Sequence, residues 1–379
     1  MAKDLAAGRE KFASMPDVVS LHTTEICNLR CIMCRRSVEK GEQKLDRSRL
    51  ADCLEQLFPT ARLAIVAGFL GEPMLSDWDL IVAAADRHGV GIDLVTNGSM
   101  MDLDHYRRAR PVLNRLNISV DSGRRETYER IRAGASFARL LRNLEAIREE
   151  RKARPDGVWI SLSAVVMRSN IDELPEFVGF AAAMGADEVV LQPLRHDSKR
   201  IPEEDPFIAP GRRVRMISGG DPSPYPKGSV ELDHLLRAEA AVRSAAREHR
   251  INLSFNDFGM PPERMRPLDL RIPIDYDESS LCWNVARNFG LFPNGNVYPC
   301  CHPTDHVLGN VLRQSIREIW NGPGARALRR NHFSRRGTIF CRGCLHAPYL
   351  KNGPTGRLTA WMRRARMLAN GGRDHFGRP

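Results

Sequence analysis

The chain has 379 residues, 42% of them hydrophobic and 27% charged, which is ordinary usage for a globular protein of two or three domains. No run of about 18 apolar residues could cross a bilayer, and the first 16 residues lack the apolar core of a secretory signal. These features exclude small disulfide-stapled folds and membrane-spanning proteins. We therefore expect a soluble, cytoplasmic protein with no membrane span.

The net charge of +11 is concentrated at the carboxy terminus. Residues 324–379 contain thirteen Lys or Arg and a single acid, Asp374. Such a segment is typical of a solvated basic helix, although it could also contact nucleic acid or anionic lipid. Because no aromatic-interleaved nucleic-acid motif accompanies the charge, a nucleic-acid partner is not expected.

Short apolar runs alternate with longer amphipathic ones between residues 17 and 194. This alternation predicts a parallel α/β sheet or barrel with helices on the outside. The predicted strands are 18–23, 63–67, 92–96, 116–120, 158–166 and 188–191. The predicted helices are 48–57, 78–88, 126–131, 137–151 and 174–184.

The composition changes after residue 194, where proline and glycine become frequent. Residues 195–281 are predicted to be a connecting or lid region with one helix at about 230–250. A hairpin signal at residues 294–296 lies between two apolar runs. The predicted organisation is an extension (1–16), a barrel (17–194), the connecting region (195–281), a small hairpin and helix unit (282–350) and a basic tail (351–379) with a helix at 358–368.

Eight of the nine cysteines lie in two groups, and their short spacing favours metal binding over disulfides in a reducing cytosol. The first group, C-x3-C-x2-C, directly follows the first predicted strand and consists of Cys27, Cys31 and Cys34. Three thiolates can hold three irons of a [4Fe-4S] cluster and leave the fourth iron open. Structural zinc would need a fourth ligand, for which His22 is the only close candidate.

The second group has the pattern C-x12-G-x4-C followed by a distant C-x2-C, formed by Cys282, Gly295, Cys300, Cys341 and Cys344. Gly295 permits a tight turn that brings two of these cysteines together, and four thiolates can close either a zinc ribbon or an iron–sulfur site. Cys301, next to Cys300, is a candidate hydrogen-atom donor, an alternative ligand or a buried thiol. The ninth cysteine, Cys53, has apolar helix neighbours and is interpreted as a core residue.

The first motif resembles that of the radical S-adenosylmethionine (SAM) superfamily, in which a three-cysteine loop follows the first strand of a partial (β/α)6 TIM-like barrel. The second motif resembles the Twitch domain, a shortened relative of the SPASM domain. The resemblance implies two [4Fe-4S] clusters, one on Cys27, Cys31 and Cys34 with SAM at the open iron, and an auxiliary one on the second cysteine group. It also implies an external electron donor of the flavodoxin or ferredoxin type.

The resemblance further implies a set of SAM contacts. Gly71-Glu72-Pro73 is similar to the family's Gly-Glu-Pro motif, although Leu70 stands where a glycine is usual. Ser119 and Asp121 are two residues apart on a predicted strand and are expected to share one face. The predicted contacts are Met33, Gly71, Glu72, Pro73, Asn97, Ser119, Asp121, Arg132 and Gln192. Structural alternatives remain open, such as a core position for Met33 or a solvated helix arginine for Arg132.

The resemblance implies an enzyme that reductively cleaves SAM to a 5′-deoxyadenosyl radical, which takes a hydrogen atom from the substrate. A fully ligated second cluster suits electron transfer, which favours oxidation or epimerisation of a small hydroxylated compound such as a sugar or aminocyclitol. Only 26 residues precede Cys27, fewer than a leader-recognition module needs, so a small-molecule substrate is expected rather than a peptide. Maturation of a ribosomally made peptide and a zinc-binding nucleic-acid adaptor are the alternatives.

Overall fold

A computed structural model describes residues 1–34, 41–68, 71–193, 230–255, 282–300 and 306–334. Its strands are β1 (Val18–Leu21), β2 (Leu63–Ala67), β3 (Gly91–Thr96), β4 (Leu113–Ser119), β5 (Trp159–Val166), β6 (Glu188–Pro193), β7 (Asn252–Phe255), β8 (Asn288–Leu291), β9 (Asn296–Tyr298) and β10 (Gly309–Asn310). They form one sheet in the order β10-β9-β8-β1-β2-β3-β4-β5-β6-β7. Strands β1 to β7 are parallel neighbours, as a partial barrel requires.

Helices follow the parallel strands in alternation, which confirms the predicted α/β fold class. The helices are α1 (Ala2–Ala6), α2 (Arg47–Leu57), α3 (Trp78–His88), α4 (Leu103–Ala109), α5 (Arg125–Ile131), α6 (Phe137–Ala153), α7 (Leu174–Ala183), α8 (Val230–Glu248), α9 (Trp283–Arg287), α10 (Ile316–Trp320) and α11 (Pro323–Phe333). Single 3-10 turns occupy Pro73–Leu75 and Ile171–Glu173. Every helix in the described ranges is too short or too polar to cross a bilayer.

The two faces of the parallel strands differ in chemistry because side chains alternate along a strand. Alternate residues such as Leu21, Val66, Leu94 and Leu116 belong to one large apolar core shared with the helices. The intervening residues point to the concave side of the sheet, and many of them are polar and buried. This inner polar set includes Ser20, Asp93, Arg115, Asn117, Ser161, Ser163 and Glu188.

The second cysteine group is attached to the barrel through β8, which pairs in parallel with β1. The guanidinium of Arg287 binds both carboxylate oxygens of Asp17 just before the paired strands begin. One step further, Ser20 Oγ donates to Asn288 Oδ1 at 2.8 Å. The predicted hairpin is confirmed: β8 and β9 are antiparallel, and Gly295 at their turn has φ 78°, a value that favours glycine.

The structure corrects several predicted elements. The fourth strand runs over Leu113–Ser119 rather than 116–120, and Asp121 lies beyond it with φ 71°. The shared face expected for Ser119 and Asp121 is therefore wrong, because Asp121 is outside the strand. Helix α4 and strand β7 were not predicted. The predicted helix at 358–368 and most of the connecting region lie outside the described residues.

The residues before β1 are clamped to the helices α10 and α11, which lie between Cys300 and Cys341 in the sequence. The guanidinium carbon of Arg329 lies 3.8 Å from the ring centroid of Phe12 and 4.3 Å from that of Trp320. The side chain of Asn321 accepts a hydrogen bond from the Phe12 amide and donates one to the Phe12 carbonyl, both at 2.9 Å. Burial lowers the pKa of Arg329 to about 10. The clamp joins the amino-terminal extension to α10 and α11.

Truncating the clamp should destabilise the protein. We expect Phe12→Ala to lower the free energy of unfolding by about 3–5 kcal/mol, the usual cost of removing a buried phenyl ring. Urea denaturation followed by circular dichroism measures this loss. Leu312→Ala is the matched control, because Leu312 is 57% exposed and its truncation should change the free energy of unfolding by about 0.5 kcal/mol or less. If both variants had the same free energy of unfolding, the contacts of Phe12 with Arg329 and Asn321 would not stabilise the protein.

Candidate active site

The first cysteine motif occupies the loop that follows β1. Cys31 is buried, whereas Cys27 and Cys34 are half-buried. Backbone hydrogen bonds attach the loop to the end of α5, from Arg30 N to Ala133 O at 2.8 Å and from Ile32 N to Ile131 O at 2.9 Å. The loop therefore has a defined position at the carboxyl edge of the parallel strands.

Gly71 and Glu72 hold the cysteine loop from the neighbouring β2 side. The Glu72 amide donates to Ile26 O at 2.8 Å. A Cβ on Gly71 would lie 2.4 Å from the carbonyl oxygen of Thr24, so only glycine fits here without displacing the backbone. Glycine at this position lets the two loops lie in direct backbone contact.

The carboxylate of Glu72 is buried and accepts three hydrogen bonds from the chain itself. Thr96 Oγ1 donates at 2.6 Å, and the amides of Asn97 and Met74 donate at 2.8 and 3.2 Å. Burial raises the pKa of Glu72, and these donors partly offset that rise. The carboxylate therefore connects the loop after β2 to the end of β3.

A chain of amides extends this connection back to the cysteine loop. Asn97 Nδ2 donates to Asn28 Oδ1 at 2.9 Å, and Asn28 Nδ2 donates to Ser99 Oγ at 2.7 Å. Asn28 lies between the first two cysteines of the motif. Of these three residues, only Asn97 was predicted from the sequence, and Asn28 and Ser99 were not singled out.

Asp121 and Arg132 form a buried ion pair beside Cys31. Arg132 Nη2 lies 2.7 Å from Asp121 Oδ2, and Arg132 Nη1 lies 3.9 Å from Cys31 Sγ. Asp121 also accepts a hydrogen bond from the Val165 amide at 2.8 Å. The alternative of a solvated arginine is wrong, because Arg132 is only 6% exposed. Contacts of both residues with SAM stay predictions.

The remaining predicted contacts are dispersed around the same edge. Met33 packs on Ile131 and Met167 in a small apolar cluster. Pro73 begins the 3-10 turn after the loop. Ser119 Oγ lies 3.5 Å from Ser163 Oγ, and Gln192 is half-buried near the end of β6. Roles for these residues in SAM binding also stay predictions.

Two cysteines of the second motif, Cys282 and Cys300, lie in the described residues. Cys282 is buried at the start of α9, and Cys300 follows β9 after one residue. Cys301, Cys341 and Cys344 lie outside the described residues, so the proposed hydrogen-donor role of Cys301 is not tested. Cys53 is 1% exposed on the core side of α2, as its apolar neighbours predicted.

An aromatic group lies where the two motifs approach each other. The ring of His22 lies 4.8 Å from that of Phe292, which in turn lies 4.7 Å from that of Tyr298. His22 Nδ1 is 2.7 Å from the carbonyl oxygen of Ala67, so this nitrogen carries the proton and donates. Burial lowers the pKa of His22 to about 4, which keeps the ring neutral near pH 7.

The residues around the first motif fit a [4Fe-4S] cluster with SAM. Burial raises the pKa of Cys31 to about 12, and the nearby Arg132 guanidinium opposes this rise. A buried thiolate needs a positive charge beside it, so a metal ion bound to the Cys31 sulfur suits this site. Arg132 Nε is buried without a hydrogen-bond partner among the described residues, which suits an anionic ligand group. No three His, Cys, Asp or Glu side chains in the described ranges converge on one ion. A cubane does not require this, because its ligands bind separate irons.

Comparison with known families agrees with both motifs. The model of the radical SAM superfamily matches residues 21–181, and the model of an iron–sulfur cluster-binding domain, SPASM, matches residues 282–345. The chain belongs to the radical SAM superfamily and carries a SPASM-type auxiliary domain. It is therefore an enzyme of the iron–sulfur and SAM class, and the two domains imply the predicted [4Fe-4S] clusters and SAM.

Curated relatives match a little under half of the chain. The mycofactocin maturase MftC of Mycolicibacterium smegmatis is 28% identical over 180 residues, covering 47% of this chain and 44% of the relative. A probable GTP 3′,8-cyclase of Pyrobaculum aerophilum is 30% identical over 169 residues, covering 42% of this chain and 52% of the relative. The chain thus matches about half the length of these relatives.

Solved structures share the fold over a longer range. Streptococcus suis SuiB bound to the precursor peptide SuiA has a TM-score of 0.59 at 14% identity, covering 86% of this chain and 69% of SuiB. The protein anSMEcpe with bound AdoMet has a TM-score of 0.55 at 14% identity, covering 93% of this chain and 99% of its own. These likenesses show that the chain shares its fold with both proteins.

Gly71 provides a test of the loop contact. We expect Gly71→Ala to slow SAM cleavage by about a hundredfold, because the added Cβ pushes the cysteine loop by roughly 1 Å. Production of 5′-deoxyadenosine by anaerobically purified protein measures the loss. Gly324→Ala is the matched control, since its Cβ would meet no atom closer than 3.8 Å. A Gly71→Ala enzyme as fast as the control would show that the backbone contact is not needed.

Proposed function

We propose that this radical SAM enzyme modifies a ribosomally made peptide by taking a hydrogen atom from one of its residues. The main support is that the chain shares its fold, over 86% of its length, with SuiB bound to the precursor peptide SuiA. Curated relatives include several mycofactocin maturases. The expected preference for a small hydroxylated compound finds less support, because these relatives and this structure point to peptides.

The chain's own residues prepare the site for this chemistry. When bound, the first cluster and SAM supply a one-electron cleavage that yields a carbon radical able to abstract hydrogen. Glu72 and Asn28 fix the cysteine loop through the hydrogen bonds described above, and Arg132 places a buried positive charge beside Cys31. The rings of His22, Phe292 and Tyr298 pack against one another at the ends of β1, β8 and β9. Packed rings limit the access of water, from which a reactive site benefits.

A second candidate substrate is a small polar compound, oxidised or epimerised at a carbon that bears a hydroxyl group. The polar inner face of the sheet favours it, because Asp93, Asn117 and Ser161 could all bind a hydrophilic molecule. A relative named as a probable GTP 3′,8-cyclase is also consistent with a small polar substrate. In both candidates the second cluster would carry electrons.

Removing the first motif should abolish SAM chemistry. We expect the triple variant Cys27→Ala, Cys31→Ala and Cys34→Ala to lose 5′-deoxyadenosine formation entirely, together with about half of the iron and sulfide of the wild-type protein. Anaerobic purification with iron and sulfide assays and absorbance near 400 nm measures both effects. Cys53→Ala is the control, because Cys53 packs in the core away from both motifs. SAM cleavage by the triple variant would contradict the cluster assignment.

The two substrate classes differ in what stimulates SAM consumption. With SAM and a chemical reductant, we expect release of 5′-deoxyadenosine to rise at least tenfold on addition of a short peptide encoded beside the gene. A panel of sugars, aminocyclitols and nucleotides should leave the rate unchanged. Mass spectrometry of the peptide then identifies the altered residue. Stimulation by a panel compound and not by the peptide would favour the small-molecule candidate instead.

A further inference from the structure

The inner face of the barrel contains a buried polar layer contributed by β4, β5 and β6. Arg115 Nη2 lies 2.6 Å from Glu188 Oε2, and Arg115 Nε donates to Ser161 Oγ at 3.0 Å. Glu188 also accepts from Trp159 Nε1 at 3.0 Å and from Ser254 Oγ. Arg115 and Glu188 therefore neutralise each other and have several hydrogen-bond partners.

Two other side chains on this face have no such partners. Asp93 on β3 is 8% exposed and Asn117 on β4 is 4% exposed. Their Oδ1 atoms are fully buried, and no described residue forms a hydrogen bond with either side chain. In the strand register, Asp93 is opposite Arg115 and Val95 is opposite Asn117. Asp93 and Asn117 are therefore diagonal neighbours on adjacent strands, facing the same side.

Among the described residues of this layer, two carboxylates face one guanidinium, which leaves one negative charge uncompensated. Arg115 balances only one of the two carboxylates, Asp93 and Glu188, and its hydrogen bonds go to Glu188. Burial raises the pKa of Asp93 to about 6, with Arg115 opposing the rise, so the carboxylate is mostly ionised at pH 7.5. A buried charge without a partner is costly. A neutral hydroxyl or a water could satisfy hydrogen bonds here, but only a cation would also balance the charge.

We infer that Asp93 and Asn117 form a subsite for a primary ammonium group of the substrate. The ammonium would donate one hydrogen bond to the Asp93 carboxylate and one to Asn117 Oδ1. Its third N–H group would remain for another acceptor. Asp93 and Asn117 are then positioning residues that hold the substrate inside the barrel. This inference rests on the proposed function, since it describes the substrate that the same barrel takes.

Methylammonium is the probe for this subsite, and methanol is its neutral counterpart of similar size. We expect saturable binding of methylammonium to the anaerobic holoenzyme in saturation-transfer NMR at pH 7.5, with no competition from methanol. Asp93→Asn should weaken the binding at least tenfold while keeping the shape of the side chain. Asp79→Asn is the matched control, because the Asp79 side chain is 75% exposed on α3, and it should bind as wild type does.

A second variant, Asn117→Ala, tests the subsite independently in case Asp93→Asn does not fold. Asn117→Ala removes one acceptor and should weaken methylammonium binding about threefold or more, with unfolding in urea close to that of wild type. Binding that is equal in wild type, Asp93→Asn and Asn117→Ala would overturn the inference, as would the absence of saturable binding to wild type. Peptide-stimulated SAM cleavage by wild type is measured in parallel. Its absence would contradict the proposed function without changing the methylammonium result.

Discussion

A single buried carboxylate, that of Glu72, sets the geometry on which the site depends. A carboxylate with 2% residue exposure is tolerable only when its oxygens are hydrogen-bonded. Here the donors are Met74 in the turn after β2, and Thr96 and Asn97 at the end of β3. The donor amide of Asn97 belongs to the residue whose side chain binds Asn28 in the cysteine loop. The positions of three loop segments are consequently coupled. Without this carboxylate, the loop that carries the three thiols would lose its support from the end of β3 and keep its backbone hydrogen bonds to the end of α5 and to Glu72.

The buried charged side chains on the described barrel strands also have partners, and Asp93 is an exception. Arg115 with Glu188, and Arg132 with Asp121, are buried as pairs, which offsets the cost of removing each charge from water. Apolar residues of the same strands face the helices and supply the core. Asp93 departs from the rule because it is ionisable, buried and without a hydrogen bond among the described residues. Departures of this kind are expected where a protein keeps binding capacity at the expense of stability.

Much of the architecture could be predicted from the sequence. Strands β1 to β6 and the helices α2, α3, α6 and α7 follow from the apolar periodicity, and the cysteine spacing points to the two iron–sulfur units. Helix α4 was missed because it buries only Tyr106 and Ala109, which is too few residues to show an apolar period. The position of Asp121 was wrong because its left-handed backbone depends on tertiary contacts that strand propensity does not contain. Asp93 and Asn117 were missed because their relation depends on the register between two strands.

The parallel pairing of β1 with β8 makes the iron–sulfur hairpin an edge extension of the barrel sheet. Asp17 and Arg287 are 270 residues apart in sequence and form an ion pair at this junction. A later segment of the chain therefore stabilises the pairing of β1. During synthesis, the edge of β1 that pairs with β8 would stay unpaired until β8 had been made. Completion of the barrel sheet is thus expected only after β8 has been synthesised.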